Sequence, residues 1–412
     1  MKHEATHPWI SFRLELAKAS PRLWLGLGEA KSKCQHLAGV PLEPQIAKKL
    51  HSIYLARGAL ATTAIEGNTL SEKEALKIVK GESKLPKSQQ YLAKEIKNIL
   101  TASNIIMSEI EKDGDRHITS EDIRRTNQII LNGLEVADYV TPGHYRECEI
   151  EVSTYIGPTW EEVAGLIDDL CVWLNGEAFS AINDEPLIRA IIKAVVAHVY
   201  VAWIHPFGDG NGRTSRMLEF RFLIEGGVPS PAAHLLSNHY NKTRTAYYRH
   251  LEESSKNGGN LLPFLEYAVE GFVDQLREQL LFVKFQQWHL AWRNYVEGIL
   301  GSKKNPSTLR QIQLILALSQ NIDTHARSEI PDLSPEIARL YARKTNKTLT
   351  RDLNKLKNLS LIEIRDGKVI AKTEMILSFL PRAKKGELRR QLEDYFIVKD
   401  KIEGAHPTHD RK

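Results

Sequence analysis

Apolar residues return every three or four positions through most of this chain, and that spacing commits it to a mainly helical fold. Between residues 47 and 65, Leu50, Ile53, Tyr54, Ala61 and Ile65 keep the rhythm, and Gly67-Asn68 then ends the helix, as Gly and Asn do just past a C-terminus. Ser71, with Glu74 three residues on, is a capping box that opens the next helix. The spacing predicts further helices over 91–107, 119–131 (capped by Thr119 or Ser120), 160–174, 186–203, 213–224, 243–256 and 261–296. One stretch, 141–160, breaks the rhythm. Pro142, Gly143, Gly157 and Pro158 surround the alternating run Glu149-Ile150-Glu151-Val152-Ser153, which predicts a short strand or hairpin amid helices. A linker at 301–306 precedes three more helices, over 308–318, 334–343 and 347–359. A hairpin follows, built from Leu361 to Ile364, a turn at Asp366-Gly367, and Val369-Ile370. The last thirty residues are charged and are expected to end in a disordered tail.

A chain of 412 residues is too long for one ordinary core and implies two or three domains. Its 42% hydrophobic and 26% charged residues are the balance of a folded soluble protein. No apolar run in the sequence approaches the roughly 20 residues of a membrane helix, so no membrane partner is expected. The first ten residues lack the pattern of an export signal. Cys34, Cys148 and Cys171 are odd in number and widely spaced, which argues against disulfides and a Cys-based zinc site and favours a reducing cytoplasm. The net charge of +5 is uneven: Lys303 to Lys372 holds 14 Lys or Arg against 7 Asp or Glu, a surplus of 7. That asymmetry points to a separate module with an anionic partner.

The chemistry concentrates in His205-Pro206-Phe207-Gly208-Asp209-Gly210-Asn211-Gly212-Arg213-Thr214-Ser215-Arg216, a loop running into a helix. Gly210 and Gly212 let backbone approach a ligand closely. The unpaired N–H groups at the helix start form an anion site. Arg213 and Arg216, three apart, share a face of the first turn and offer planar paired donors to phosphate oxygens. Asp209 supplies one hard oxygen, and magnesium takes one or two carboxylates with phosphates and water completing its shell. His205 can accept a proton from a hydroxyl near neutral pH. Together these are the parts of a nucleotidyl- or phosphoryl-transfer site.

The segment resembles the signature of the Fic family, His-x-Phe-x-Asp/Glu-Gly-Asn-Gly-Arg-x-x-Arg, at every fixed position. The resemblance runs over roughly residues 8–272 and implies a Fic helical fold with a short β-hairpin flap. It implies transfer of AMP from ATP to a hydroxyl of a target protein. His205 is then the base, Phe207 the buried anchor of the loop and Asp209 the magnesium ligand. Gly208, Gly210, Asn211 and Gly212 form the phosphate cradle, while Arg213 and Arg216 hold the β- and γ-phosphates. Relatives that phosphorylate instead carry Lys near the position of Gly212. Pro142-Gly143-His144-Tyr145-Arg146 resembles the lead into the flap, which spans 149–156 and binds a target segment as an added strand. Thr62-x-x-x-Glu66-Gly67 matches the family's inhibitory motif, in which Glu66 would pair with Arg216 and exclude the γ-phosphate. Whether Glu66 also serves AMP removal, and whether the chain forms a homodimer, is left open.

Ser237-Asn238-His239-Tyr240 and Tyr247-Tyr248 resemble the stretch lining the adenine pocket, with Tyr240 and Tyr248 the expected contacts. His198, two turns before His205, reads as a satisfied core histidine. The elements after 301 resemble a winged helix-turn-helix domain, whose third helix holds Leu349, Leu353 and Leu356 on one face and leaves Lys347, Thr348, Thr350, Arg351 and Lys355 to reach DNA or a protein. The expected layout is an N-terminal helical region with the inhibitory helix (1–110), a catalytic core (111–300), a winged-helix-like domain (301–380) and a charged tail (381–412). The rival reading is a DNA-binding transcriptional regulator whose Fic domain is a nucleotide-responsive sensor.

Overall fold

The computed structural model describes residues 2–376 apart from 115, 153–154, 183, 302–304 and 321–323. The expected charged tail lies outside the described residues. The chain divides into two compact units, Met1–Leu280 and Leu281–Lys412.

The first unit is helical: α1 (Lys2–Thr6), α2 (Pro21–Gly39), α3 (Pro44–Ala64), α4 (Glu72–Val79), α5 (Gln90–Asp113), α6 (Ser120–Leu131), α7 (Trp160–Asn175), α8 (Pro186–Ile204), α9 (Asn211–Glu225), α10 (Leu235–Lys242), α11 (Arg244–Lys256) and most of α12 (Leu262–Leu300). A two-stranded antiparallel hairpin, β1 (Glu151–Val152) and β2 (Tyr155–Ile156), interrupts them with Val152 opposite Tyr155. Capping sets several starts. Ser71 and Glu74 form the capping box of α4, and Thr119 with Asp122 forms that of α6.

α8 is the centre of this unit. It is apolar over most of its surface apart from Arg189, Lys193 and His198, and Val195, Val196, Ala197, Val199 and Val201 are all but fully buried. By length and composition it is long and apolar enough to cross a membrane, contrary to the expectation that no such run exists; most of it is buried inside the molecule. It packs along α9, on which α3, α5 and α6 converge. Helix α3, which carries Thr62, and the loop between α8 and α9 therefore share one core, and residues 1–110 do not stand apart.

The second unit holds the end of α12, α13 (Pro306–Leu318), α14 (Pro335–Tyr341) and α15 (Asn346–Asn358). Strands β3 (His325–Ala326), β4 (Ile362–Arg365) and β5 (Lys368–Ala371) make an antiparallel sheet in the order β3-β5-β4. Trp292, Val296 and Leu300 of α12 pack in one core with Leu314, Ile337, Leu353, Leu356 and Val369. The boundary thus falls inside α12 instead of at 301, because the last turns of that helix carry apolar groups belonging to the second core. Sequence spacing did not reveal α2, whose stripe (Leu23, Leu27, Ala30, Cys34) is narrow and interrupted by Gly26 and Gly28. It also missed α10 and β3, both too short to show a period.

Candidate active site

α8 ends at His205 in a left-handed turn, φ 48° and ψ 61°, unusual for a residue with a Cβ. Its N–H donates to the Val201 carbonyl at 2.9 Å, which closes the helix. Arg146, 3% exposed, holds the strained turn from outside. Its Nε donates to the His205 carbonyl at 2.9 Å and its Nη2 to the Pro158 carbonyl at 2.5 Å. Its N–H donates to the Pro206 carbonyl at 2.9 Å. The lead-in segment found in the sequence therefore ties His205 to the stretch that follows the hairpin with one guanidinium.

The His205 ring is half-buried, and its Nδ1 lies 3.3 Å from the Ala202 carbonyl. That contact favours the tautomer with the proton on Nδ1 and leaves Nε2 to accept one. Burial pushes the imidazole down to about 4, against the upward pull of the Ala202 carbonyl, Glu66 and Asp209. The ring is then neutral at pH 7 and its Nε2 is able to accept a proton.

Phe207 is 1% exposed and stacks at a tilt on Tyr145, 5.6 Å between centroids. Asn211 closes the loop around it: the Phe207 N–H donates to Asn211 Oδ1 at 2.8 Å, and Asn211 Nδ2 donates to the Phe207 carbonyl at 2.7 Å. Both functions of the Asn211 amide are thereby committed to the backbone. Its expected part in the phosphate cradle is left to its own N–H, and the side chain is a clamp. A second amide, Asn127 on α6, donates to the Asp209 carbonyl at 2.9 Å and accepts from the Gly143 N–H at 2.9 Å.

Gly210 caps α9 with φ +79°, and no side chain caps the helix, so its first N–H groups are left for a ligand. Two guanidiniums rise from this turn. Arg216, 2% exposed, donates through Nη2 to Glu66 Oε1 at 2.5 Å and to the Thr62 carbonyl at 2.9 Å. Arg213 donates to Asp209 Oδ1 at 2.9 Å and to Glu95 Oε1 at 3.0 Å. Glu95 on α5 escaped the sequence reading. Its other oxygen accepts from Asn68 Nδ2 at 2.8 Å, so one carboxylate ties Arg213 to the turn after Glu66.

Glu66 sits directly over the helix start. A Cβ placed on Gly212 would come within 2.3 Å of Glu66 Oε1, so only glycine lets the carboxylate settle there. Burial pulls the Glu66 carboxyl upward, but Arg216, Arg213 and His205 together hold it below the usual range. Glu95 moves the other way: burial raises it, and the Asn68 and Arg213 contacts recover only part. Gly67, φ +105°, lets the chain reverse after Glu66. Thr62 is 1% exposed and contributes its carbonyl to Arg216.

The tyrosines divide. Tyr248 is 47% exposed and near enough to Glu66 and Arg216 for their charges to act on its hydroxyl. Tyr240 is fully buried; its hydroxyl donates to Glu219 Oε1 at 2.9 Å, and its ring stacks on Tyr247. It is a core residue and cannot line a pocket, contrary to expectation, because α10 turns it inward. His198 is a core histidine as expected, with Nδ1 3.1 Å from Glu219 and Nε2 2.9 Å from the Tyr247 hydroxyl.

Residues 117–223 match the model of the Fic/DOC family. This chain carries a Fic domain. The "Protein adenylyltransferase fic-1" of Caenorhabditis elegans is 29% identical over 209 residues, 51% of this chain and 38% of that protein. The "Protein adenylyltransferase Fic" of Nematostella vectensis is 26% identical over 208 residues, 50% of this chain and 44% of that one. The chain thus spans less than half the length of these relatives. Among solved structures, a Fic family protein from Desulfovibrio desulfuricans G20 superposes with a TM-score of 0.51 at 18% identity, covering 86% of this chain and 96% of that one. Fic-1 (residues 134–508) from C. elegans gives a TM-score of 0.50 at 24% identity, covering 62% and 71%. These two share the fold with the Fic-bearing chain.

Proposed function

We propose that this chain transfers AMP from ATP to a hydroxyl side chain of a target protein and that Glu66 holds it in a resting state. The observation that carries this reading is the Glu66–Arg216 pair, 2.5 Å long and centred on the uncapped start of α9. A carboxylate occupies the place where a helix start and a guanidinium would otherwise grip a phosphate.

In the transfer, His205 Nε2 takes the proton of the target hydroxyl as its oxygen attacks the α-phosphorus. The new P–O bond forms in line with the bond to the β-phosphate, which breaks, and pyrophosphate leaves. The α9 N–H groups, Arg213 and Arg216 neutralise the negative charge of the leaving group. Asp209 fits a magnesium ion carried by the nucleotide: it is a single, partly exposed carboxylate, and its Oδ1 accepts from Gly210 N–H and Arg213. Among the described residues no cluster of three or more His, Cys, Asp or Glu forms a cage, so the nucleotide's own oxygens would complete the shell. The ion would screen phosphate charge there. The exposed Val152 and Ile156 of the hairpin offer the edge on which a target segment would add as a strand.

The test is label transfer from α-labelled ATP into protein by the native chain, by Glu66→Gly and by Glu66→Gly/His205→Ala. Weak, strong and absent labelling, in that order, support the reading. A Glu66→Gly chain that binds no magnesium nucleotide overturns it.

A further inference from the structure

The second unit contains a cationic surface that the transfer reaction does not use. Four of the seven exposed positions of α15 are basic, and three of these, Lys347, Arg351 and Lys355, succeed one another at intervals of four and so lie along one face. Asn354 and Asn358 complete the stripe, and the opposite face, Leu349, Leu353 and Leu356, is buried in the core. Arg343 and Lys344 in the turn before α15, and Lys368 in the β4–β5 hairpin, are exposed as well. Among the described residues none of these six cations is paired with a carboxylate.

The helix does contain one acid, and the fold hides it. Asp352 is 1% exposed. It accepts from Arg310 Nε at 2.7 Å, from Gln311 Nε2 at 2.8 Å and from the Tyr341 hydroxyl at 2.9 Å. Its charge is thus neutralised inside by α13, and the outward face is left uniformly positive. The unit's other described acids, Glu297, Glu329, Asp332, Glu336, Glu363, Asp366 and Glu374, lie off α15, and Glu363 is bound to Arg365. Leaving several like charges exposed on one helix costs stability through repulsion, so an anionic partner is the natural counterpart.

From this we infer that α15 is a binding surface for the phosphate backbone and major groove of duplex DNA. Thirteen residues make a rod of about 20 Å, and a major groove about 12 Å wide admits a helix. α14 and α15 are joined by a short turn, with α14 packed on α13 and the β4–β5 hairpin alongside, which leaves only the polar face of α15 open. Lys and Arg at four-residue intervals track phosphates, while amides such as Asn354 present the donor–acceptor pair that reads adenine.

The test is fluorescence anisotropy of the whole chain with a labelled mixed-sequence duplex of about two helical turns, titrated between about 50 and 200 mM salt. Four cations on phosphates give a log–log slope near −3.6. Lys347→Gln/Arg351→Gln/Lys355→Gln should weaken binding at least tenfold at the lower salt and flatten the slope by about 2.7, and Arg351→Gln alone by about 0.9. Lys18→Gln, in the other unit, should change neither, and circular dichroism melts of the exposed-site variants should match the native chain. Absence of binding at the lower salt, or a slope that the triple variant leaves unchanged, overturns the inference. So does tighter binding to an RNA hairpin, polyglutamate or anionic vesicles than to the duplex.

Discussion

At the start of α9, Arg213 and Arg216 are 6% and 2% exposed, and each is gripped by a carboxylate from another part of the fold. On α15, Lys347, Arg351 and Lys355 are exposed and meet no carboxylate among the described residues, while the one acid of that helix is turned inside. A buried guanidinium stripped of its partner is costly, so the first region stays neutral until another anion replaces Glu66. Exposed cations are hydrated, so such a stripe persists without a partner at a modest cost in mutual repulsion that an anion would relieve. The first arrangement is suited to a gate and the second to an open surface whose grip depends on salt.

Several measurements would break or sharpen this contrast. The largest effect is expected at His205. In a Glu66→Gly background, His205→Ala should cut label transfer by about a hundredfold to ten-thousandfold. Glu66→Gly itself should raise transfer on the order of tens of fold over the native chain, the size of a typical coupling between a restraint and a site. Added salt should leave the native chain at its weak resting activity, because a buried pair is weakly screened, whereas any duplex binding by α15 should fall away. Activation of the native chain by salt alone would contradict the gate.

Glu95 sharpens the first half of the contrast. In the Glu66→Gly background, Glu95→Ala should weaken nucleotide binding by roughly tenfold in calorimetry, since Arg213 loses a partner that orients it. Glu95→Gln should retain most of the affinity, because an amide oxygen still accepts from Arg213. Equal affinity in all three chains would remove Glu95 from the site.

A smaller effect lies in pH. Burial depresses His205, His234 and His239 to about 4. The unfolded chain binds their protons from about 6.5 downward, before the folded chain does. Their contribution to stability is therefore complete above about pH 6.5 and lost progressively as pH falls toward 4. Melting temperature should drop over that window and less steeply in His234→Gln, while Lys347→Gln leaves the slope unchanged. The smallest effect is at the tyrosines. Tyr248→Ala should weaken nucleotide binding by about fivefold, the worth of one stacked ring. Tyr240→Phe should leave that affinity intact and lower the melting temperature, because Glu219 loses a buried donor.

The features legible beforehand were local ones. The capping box at Ser71 declared itself because donor and acceptor are three residues apart, whereas the cap of α6 lay between Thr119 and Ser120 until the structure placed it at Thr119 with Asp122. The loop from His205 to Arg216 was readable for the same reason, and the pairing of Glu66 with Arg216 was implied by resemblance to a family. Glu95, Asn127 and Arg146 were not assigned their roles, since each acts on residues 59 to 118 positions away and sits in an ordinary helix or loop pattern. Tyr240 was misread because an aromatic beside an amide looks the same in sequence whether it faces a ligand or the core.

Sequence by itself determined most of the helices, the capping box at Ser71, the interrupting hairpin and a glycine-rich loop leading two arginines into a helix start, because each depends on neighbours within a turn or two. Tertiary structure alone decided which carboxylate neutralises which guanidinium, that the Asn211 amide is spent on Phe207, and that Asp352 points inward. Those outcomes depend on burial, which sets the cost of an unpaired charge, and burial exists only once the helices have packed.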